Sequence, residues 1–272
     1  MHPFHRTELL LGSEGYQRLK EARFLVVGLG GVGSYAAEAL ARGGAGQLTL
    51  VDFDQVCLTN LNRQLHALRR TVGAAKAPIM GERLRGINPK ADIRVEQVFF
   101  EASNADRLLS PGYDYVLDCI DNVTAKLVLL EECVHRGLPV ISAFGAGGRT
   151  DPTRIRVTDI ARTQKDPLAK VIRTTLRQRG IVSGIECVWT DEEPNGVDEE
   201  VEEAFRCICP SGENDHHSCE HRNQIQGTVP WIPSIFGLMM AGTAVNRLLG
   251  RRVLSSDRER HLPLPTAAAL LA

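Results

Sequence analysis

Four glycines near the start of the chain are grouped as in a phosphate-binding turn. Gly28, Gly30, Gly31 and Gly33 lie between a short apolar run and an alanine-rich segment, which predict a strand and a helix. Glycines at such a turn let the backbone approach a phosphate, and the helix N-terminus adds N–H donors and positive dipole. A tight turn alone needs one glycine rather than four. The pattern therefore predicts a nucleotide site, without distinguishing NAD from ATP.

Charged side chains that follow the turn favour ATP. Asp52 ends the second predicted strand, 24 residues after Gly28, where a carboxylate accepts hydrogen bonds from ribose hydroxyls. Arg63, within residues 60–64, is of the type that pairs with phosphate oxygens and offsets transition-state charge. Lys76 is a compact cation that suits a phosphate. A NAD-dependent dehydrogenase, a third interpretation from another class, needs neither cation.

A later acidic segment is a candidate for magnesium. Asp118-Cys119-Ile120-Asp121-Asn122 falls at the end of another predicted strand, and ligands of open α/β sheets lie beyond the carboxyl ends of the strands. Mg²⁺ takes one or two carboxylates together with substrate phosphates. Asp121 is therefore the predicted metal residue, with N-capping of the next helix as the alternative role.

The elements that must position these groups alternate along the chain. Apolar runs predict strands at 24–28, 48–52, 93–99, 113–120, 139–144, 154–158 and 185–190. Helical spacing predicts helices at 32–42, 71–87, 103–109, 124–136, 167–179 and 232–249. The alternation predicts an α/β, Rossmann-like, mostly parallel sheet with helices on both faces, extended by C-terminal strands and a closing helix.

Composition limits the class of protein. The 272 residues, 43% hydrophobic and 24% charged, suit a globular protein and exclude a disordered chain or a collagen. The net charge of -1 argues against nucleic-acid binding over the whole surface but leaves a local basic face open. Seven cysteines, an odd count, favour a reducing compartment. With no signal peptide and no predicted membrane span, we expect a cytoplasmic protein, and an organelle-associated pool stays open.

The motifs taken together resemble those of the ubiquitin-activating-enzyme-like adenylyltransferases, which activate a carboxylate with Mg-ATP. The resemblance implies that Gly30 and Gly33 approach the phosphates, that Asp52 holds the ribose and that Asp121 binds the metal. It also implies phosphate contacts from Asn60, Arg63 and Lys76. The nucleotide-binding residues that we expect are Gly28, Gly30, Gly31, Gly33, Asp52, Asn60, Arg63, Lys76, Asp121 and Asn122.

The same resemblance implies a homodimer in which an N-terminal arginine reaches into the partner's site. Arg6 falls at about the matching place, although the family more often has Gln where this chain has Thr7. The expected catalytic residues are Arg6, Arg63, Lys76 and Asp121.

The second half of the chain narrows the resemblance. Residues 145–153, 155–160 and 163–169 look like the tRNA threonylcarbamoyladenosine dehydratase branch. That branch activates the threonyl carboxylate of a modified adenosine beside the tRNA anticodon and closes a ring with net loss of water. The attack is intramolecular, so orientation suffices and no enzyme nucleophile is required. The resemblance implies ATP, Mg²⁺, tRNA and a monovalent cation as ligands, and leaves a sulfur-relay partner open.

The alternative function is adenylylation of the C-terminus of a ubiquitin-like or sulfur-carrier protein. Enzymes of that kind often carry two Cys-x-x-Cys zinc pairs, which this chain lacks. On either interpretation we expect one ATP-binding domain over 1–250, with the nucleotide site in 20–145, a substrate-facing part at 146–250 and a poorly ordered tail at 251–272.

Two further groups of residues leave alternatives open. A basic stripe suits either phosphate contacts with tRNA or a solvated helix face; it comprises Arg149, Arg154, Arg156, Arg162, Lys165, Lys170, Arg173, Arg177 and Arg179. Cys207, Cys209 and Cys219 share a loop with three histidines, which suits free thiols better than a zinc site. Cys219 is the best candidate for a nucleophile, a role that ring closure does not require.

Overall fold

The structure is a computed structural model, and it describes residues 2–196, 198 and 227–251. The predictions for Cys207, Cys209 and Cys219, and for the tail from residue 252 onward, concern residues outside this part.

A seven-stranded sheet forms the centre of the molecule, in the order β3-β2-β1-β4-β5-β7-β6. Its strands are β1 (Arg23–Val27), β2 (Gln47–Val51), β3 (Asp92–Glu96), β4 (Tyr115–Asp118), β5 (Val140–Ala143), β6 (Ile155–Asp159) and β7 (Glu186–Thr190). All neighbouring strands are parallel except β6 and β7, which pair antiparallel. The predicted α/β, mostly parallel fold is therefore confirmed.

Helices cover both faces of the sheet. They are α1 (His5–Leu11), α2 (Ser13–Glu21), α3 (Gly33–Gly43), α4 (Lys76–Ile87), α5 (Ala102–Leu109), α6 (Val123–His135), α7 (Pro167–Gln178) and α8 (Trp231–Leu248). Helices α3, α4 and α8 contribute to one core cluster, and α5, α6 and α7 contribute to the other. Within β1, Phe24 and Val26 face the first cluster while Leu25 and Val27 face the second, so this strand is apolar throughout.

The order of strands reverses direction at β1, which lies between β2 and β4. Crossovers leave this point toward opposite edges of the sheet, and such a point opens a crevice at the carboxyl ends of the strands. The glycine-rich turn follows β1 and the acidic segment follows β4, and the Cys119 N–H donates to the Val27 carbonyl oxygen at 2.8 Å. The fold thus brings the two predicted halves of the site together.

Helix α8 packs closely against α3. A Cβ added at Gly237 would lie 2.3 Å from the Val32 carbonyl oxygen, so glycine is required at this crossing. The segment before α8 thereby reaches the glycine turn. None of the helices in residues 2–196 and 227–251 is long and apolar enough to cross a membrane.

Candidate nucleotide site

Two of the four glycines in the turn, Gly28 and Gly33, are required by packing, and a third, Gly31, is closely packed. Gly28 has φ +88°, and a Cβ there would lie 2.7 Å from the Cys119 carbonyl oxygen. A Cβ at Gly33 would lie 1.8 Å from the Gly28 carbonyl oxygen, and one at Gly31 would lie 3.1 Å from Pro233. These glycines let β1, α3 and the start of α8 approach one another.

Gly30 differs because the surrounding protein leaves room beside it. The nearest atom to an added Cβ would be Gln64 Nε2, at 3.9 Å. The Gln64 side chain is buried, and its Oε1 has no hydrogen-bond partner within the described part of the chain. Open space and an unpaired buried oxygen beside a helix N-terminus fit a bound polar ligand.

Asp52 joins the glycine turn to the end of β2. Its Oδ2 accepts a hydrogen bond from the Leu29 N–H at 2.6 Å, and its Oδ1 accepts one from the Asp54 N–H at 2.8 Å. Burial raises the pKa of the Asp52 carboxyl, and the positive charge of Lys76 opposes this effect. Each oxygen retains acceptor capacity, so the carboxylate suits a ribose hydroxyl.

Lys76 is a buried cation beside Asp54, with 2.9 Å between Nζ and Oδ2. Burial lowers the pKa of Lys76, but the charges of Asp52, Asp54 and Asp121 outweigh burial and raise the pKa above its usual value. The lysine therefore stays charged at neutral pH. No role was predicted for Asp54 from the sequence, and its position two residues after Asp52 is the signal that could have assigned one.

The helix predicted at 71–87 begins at Lys76 instead. Gly73 has φ +87°, and Gln55 forms a β-bridge with Ala75, so the residues before Lys76 are not helical. Pro78, which is tolerated in the first turn of a helix, is the sequence signal for the later start. As a result Lys76 stands at the helix N-terminus and near the carboxyl end of β2.

Asn60 and Arg63 lie in the loop between β2 and α4. Asn60 is buried, and its Oδ1 accepts from the Cys57 N–H at 3.0 Å, so part of its role is to hold the loop. The Arg63 Nη1 donates to the Thr59 carbonyl oxygen at 2.8 Å. The Arg63 stem lies beside the glycine turn, because a Cβ at Gly31 would be 3.4 Å from Arg63 Cγ.

Asn122, Asp121 and Asp118, all in the acidic segment 118–122, have three different roles. Asn122 is the N-cap of α6, and its Oδ1 accepts from the Ala125 N–H at 3.0 Å. The alternative that Asp121 caps this helix is therefore wrong. Asp121 is exposed, and its charge helps to raise the pKa of Lys76, so it belongs to the same electrostatic cluster.

Asp118 forms a buried ion pair that sequence reasoning missed. Its Oδ2 lies 2.6 Å from Lys126 Nζ, and both side chains are 0% exposed. The Ser142 hydroxyl donates to the same oxygen at 2.6 Å, and the Ile120 N–H donates to Oδ1 at 3.1 Å. The pair therefore supports the turn that carries Asp121. A lysine on the apolar face of α6 is the only signal in the sequence.

Within the described residues, the one group of three close metal-ligand side chains is His2, His5 and Glu8, at the N-terminus. The donors around the glycine turn form no such cage. Asp52 is bound by backbone N–H groups and Asp54 by Lys76, which leaves Asp121 as the carboxylate that fits Mg²⁺ held mainly by phosphates.

Arg6 is not brought to the glycine turn of its own chain. It is exposed on α1, two residues after Phe4, and Phe4 packs near Gly44 at the end of α3. Helix α3 begins at the glycine turn and its 11 residues span about 16 Å. Arg6 therefore lies near the opposite end of α3 from the glycine turn and the other predicted site residues.

Much of the basic stripe is neutralised by acids. Arg154 and Arg156 both pair with Asp191, at 2.7 Å and 2.8 Å. Further pairs join Arg149 to Asp166, Lys165 to Glu193 and Arg179 to Glu131. By contrast, Arg69 and Arg70 are exposed in the loop between Arg63 and α4.

Known proteins are similar over most of the chain. A tRNA threonylcarbamoyladenosine dehydratase of Bacillus subtilis is 41% identical over 249 residues, which are 92% of this chain and 95% of that protein. The crystal structure of E. coli tRNA N6-threonylcarbamoyladenosine dehydratase in complex with ATP has a TM-score of 0.78 and 37% identity, covering 91% of this chain and 94% of that one.

A molybdopterin-synthase adenylyltransferase of Salmonella typhimurium is 42% identical, but over only 47% of this chain and 51% of that protein. The model of the ThiF family matches residues 4–264. With the motifs of the glycine turn in place and similarity that extends through both halves, the chain belongs to the ThiF family.

Proposed function

We propose that the protein is an ATP-dependent tRNA-modifying enzyme. It activates the threonyl carboxylate of threonylcarbamoyladenosine in tRNA and closes the ring with net loss of water. The observation that supports this proposal best is the group of interacting charges formed by Lys76, Asp52, Asp54 and Asp121, which Asp52 joins to the glycine turn through the Leu29 N–H. Similarity to the dehydratases through both halves of the chain supports tRNA, rather than a carrier protein, as the acceptor.

Each residue of the cluster has a task that follows from its surroundings. Gly30 admits the phosphates to the start of α3, and Lys76 and Arg63 supply positive charge as pyrophosphate leaves. The Asp52 carboxylate accepts a hydrogen bond from a ribose hydroxyl, and the Asp121 carboxylate would bind Mg²⁺. When bound, Mg-ATP supplies the adenylyl group that activates the carboxylate. Of the other predicted residues, Gly28, Gly31 and Gly33 shape the turn, while Asn60 and Asn122 hold the adjoining loop and helix.

Ring closure needs no protein nucleophile, because the carbamoyl group and the activated carboxylate belong to one substrate. The thiol of Cys119, which lies beside the glycine turn, is also unsuited to attack. Burial, followed by the negative charge of Asp118, raises the pKa of Cys119 well above its ordinary value, so this thiol stays protonated.

Several ligands and partners belong to the proposal. We expect a homodimer in which Arg6 serves the site of a second copy, since Arg6 lies at the far end of α3 from its own. The proposal also includes a single ATP-binding domain over 1–250, a monovalent cation near the nucleotide and a cytoplasmic location. A sulfur-relay protein is a further partner to test by co-purification.

The test is a single-turnover reaction of purified protein with ATP, Mg²⁺ and tRNA that carries threonylcarbamoyladenosine. We expect AMP, pyrophosphate and a nucleoside lighter by one water. An unchanged nucleoside, together with ATP–pyrophosphate exchange that depends on a ubiquitin-like protein, would replace this function by the carrier-protein alternative.

A further inference from the structure

Trp231, the first residue of α8, is an exposed aromatic side chain. Its exposed fraction is 45%, and among the described residues it is the only aromatic one of the large exposed hydrophobic side chains. The inner face of the same helix, formed by Ile232, Phe236 and Met240, is completely buried. Trp231 is therefore not a core residue, and burying its indole against a ligand would remove apolar surface from water.

The segment around Trp231 joins the two halves of the site. The Asn62 Nδ2 donates to the Thr228 carbonyl oxygen at 2.8 Å, which ties the segment to the Arg63 loop. Pro233 packs on Gly31 of the glycine turn. The indole Nε1–H of Trp231 donates to the Thr150 carbonyl oxygen at 2.8 Å. The ring thus stands at the rim of the nucleotide site, beside the start of the substrate-facing part.

The hydrogen bond to Thr150 also restricts the orientation of the ring. An aromatic ring held in this way presents a fixed apolar face without losing further side-chain freedom when a ligand binds. Unpaired bases of RNA loops are commonly recognised by stacking on such faces.

We propose that Trp231 stacks on an unpaired base of the tRNA anticodon loop next to the modified adenosine. The inference rests on the proposed function and deepens it, because it assigns a substrate-binding residue outside the ATP cluster. The stacking positions the loop so that the threonyl carboxylate faces the space beside Gly30.

Steady-state kinetics of cyclisation provide the first test, with Trp231→Ala, Trp231→Phe and Leu238→Ala. We expect Trp231→Ala to raise KM for tRNA about 10-fold or more, with KM for ATP unchanged. Trp231→Phe should retain most of the affinity, since it keeps an aromatic face. Leu238, 50% exposed on the same helix, provides the matched control and should leave both constants unchanged.

Fluorescence provides a second test, because the chain has two tryptophans and the other, Trp189, is buried. The probe is an anticodon stem-loop RNA that carries threonylcarbamoyladenosine. It should quench the emission of the wild type but not that of Trp231→Phe, in which only Trp189 emits. A fully paired RNA of the same length should quench neither.

The outcomes separate the inference from the function. If the wild type cyclises the nucleoside while Trp231→Ala keeps its KM for tRNA, the stacking is refuted and the function stands. If the wild type modifies no tRNA, the proposed function itself fails. If Trp231→Ala instead converts a dimer to monomers in gel filtration, Trp231 is an interface residue and the stacking is refuted.

Discussion

At the scale of single residues, the charges near the glycine turn fall into two groups. Asp118 and Lys126 pair with each other in the interior, where both side chains are completely buried. The second group, at the carboxyl ends of the strands, comprises Lys76, Asp121 and Arg63. Lys76 interacts with the charges of Asp52 and Asp54, and Asp121 is exposed. Residue type alone did not distinguish these groups, because an aspartate at a strand end suits either role.

Arg63→Ala should lower the turnover of ATP to AMP and pyrophosphate by about 100-fold, because the guanidinium offsets charge that develops on the leaving group. The free energy of unfolding should change little, since the bond that the Arg63 guanidinium donates to the Thr59 carbonyl oxygen is an exposed contact within one loop. Arg136→Ala, which removes an exposed arginine at the end of α6, is the control. Turnover equal to that of the control would remove Arg63 from the mechanism.

His66 should make the free energy of unfolding depend on pH. Burial, with the charges of Lys76 and Arg83, lowers the pKa of His66 from 6.5 to about 3. The folded ring is neutral, whereas the unfolded ring takes up a proton below about 6.5, so stability falls as pH decreases. Between pH 7 and pH 5 this loss amounts to about 2 kcal/mol.

Urea denaturation of the wild type and His66→Gln across that range measures the effect. The pH dependence should be shallower in the variant by about the stated amount. Replacement of the exposed His135 is the control. Parallel curves for wild type and His66→Gln would show that His66 is not the group responsible.

At the scale of elements, the glycine turn offers a matched pair of substitutions. Gly30→Ala should leave the free energy of unfolding within about 0.5 kcal/mol of the wild type, since the added methyl meets no protein atom closer than 3.9 Å. It should nevertheless weaken ATP binding, because the methyl occupies the space left for the phosphates. Gly33→Ala should destabilise the fold, because its methyl would lie 1.8 Å from a backbone oxygen.

Urea denaturation and titration with ATP, applied to both variants, test this division. A Gly30→Ala protein of normal stability that binds ATP as tightly as the wild type would place the phosphates elsewhere.

The elements differed in how well they could be predicted. The buried strands and the helices between them were recognised from apolar runs and helical spacing. Helices α1 and α2 were not predicted, because α1 has no buried residue and α2 buries only Leu19. The strand predicted at 113–120 is limited to Tyr115–Asp118, since the backbone after Asp118 turns back to bond with its side chain.

At the scale of the whole molecule, the role that we propose for Arg6 needs a second copy of the chain, because Arg6 lies far from the glycine turn of its own chain. Arg6→Ala and Asp121→Asn should each inactivate the enzyme. Mixed subunits should recover about a quarter of the wild-type activity, because half of the dimers would contain one intact site. The activity of the separate and mixed variants, with mass spectrometry to count mixed dimers, measures this. Mixed dimers without activity would argue that Arg6 acts within its own chain, and an Arg6→Ala protein of normal activity would show that Arg6 has no role in the reaction.

The alternation of strands and helices, the glycine turn and the carboxylate that follows β2 could all be predicted from the sequence, because they are local patterns of spacing along the chain. Which charges remain available to a ligand became evident only from the packed fold. Arg154 and Arg156 pair with Asp191, and Lys126 pairs with Asp118 across the start of α6. Such pairing depends on which strands and helices become neighbours, and that is a long-range property of the packed sheet.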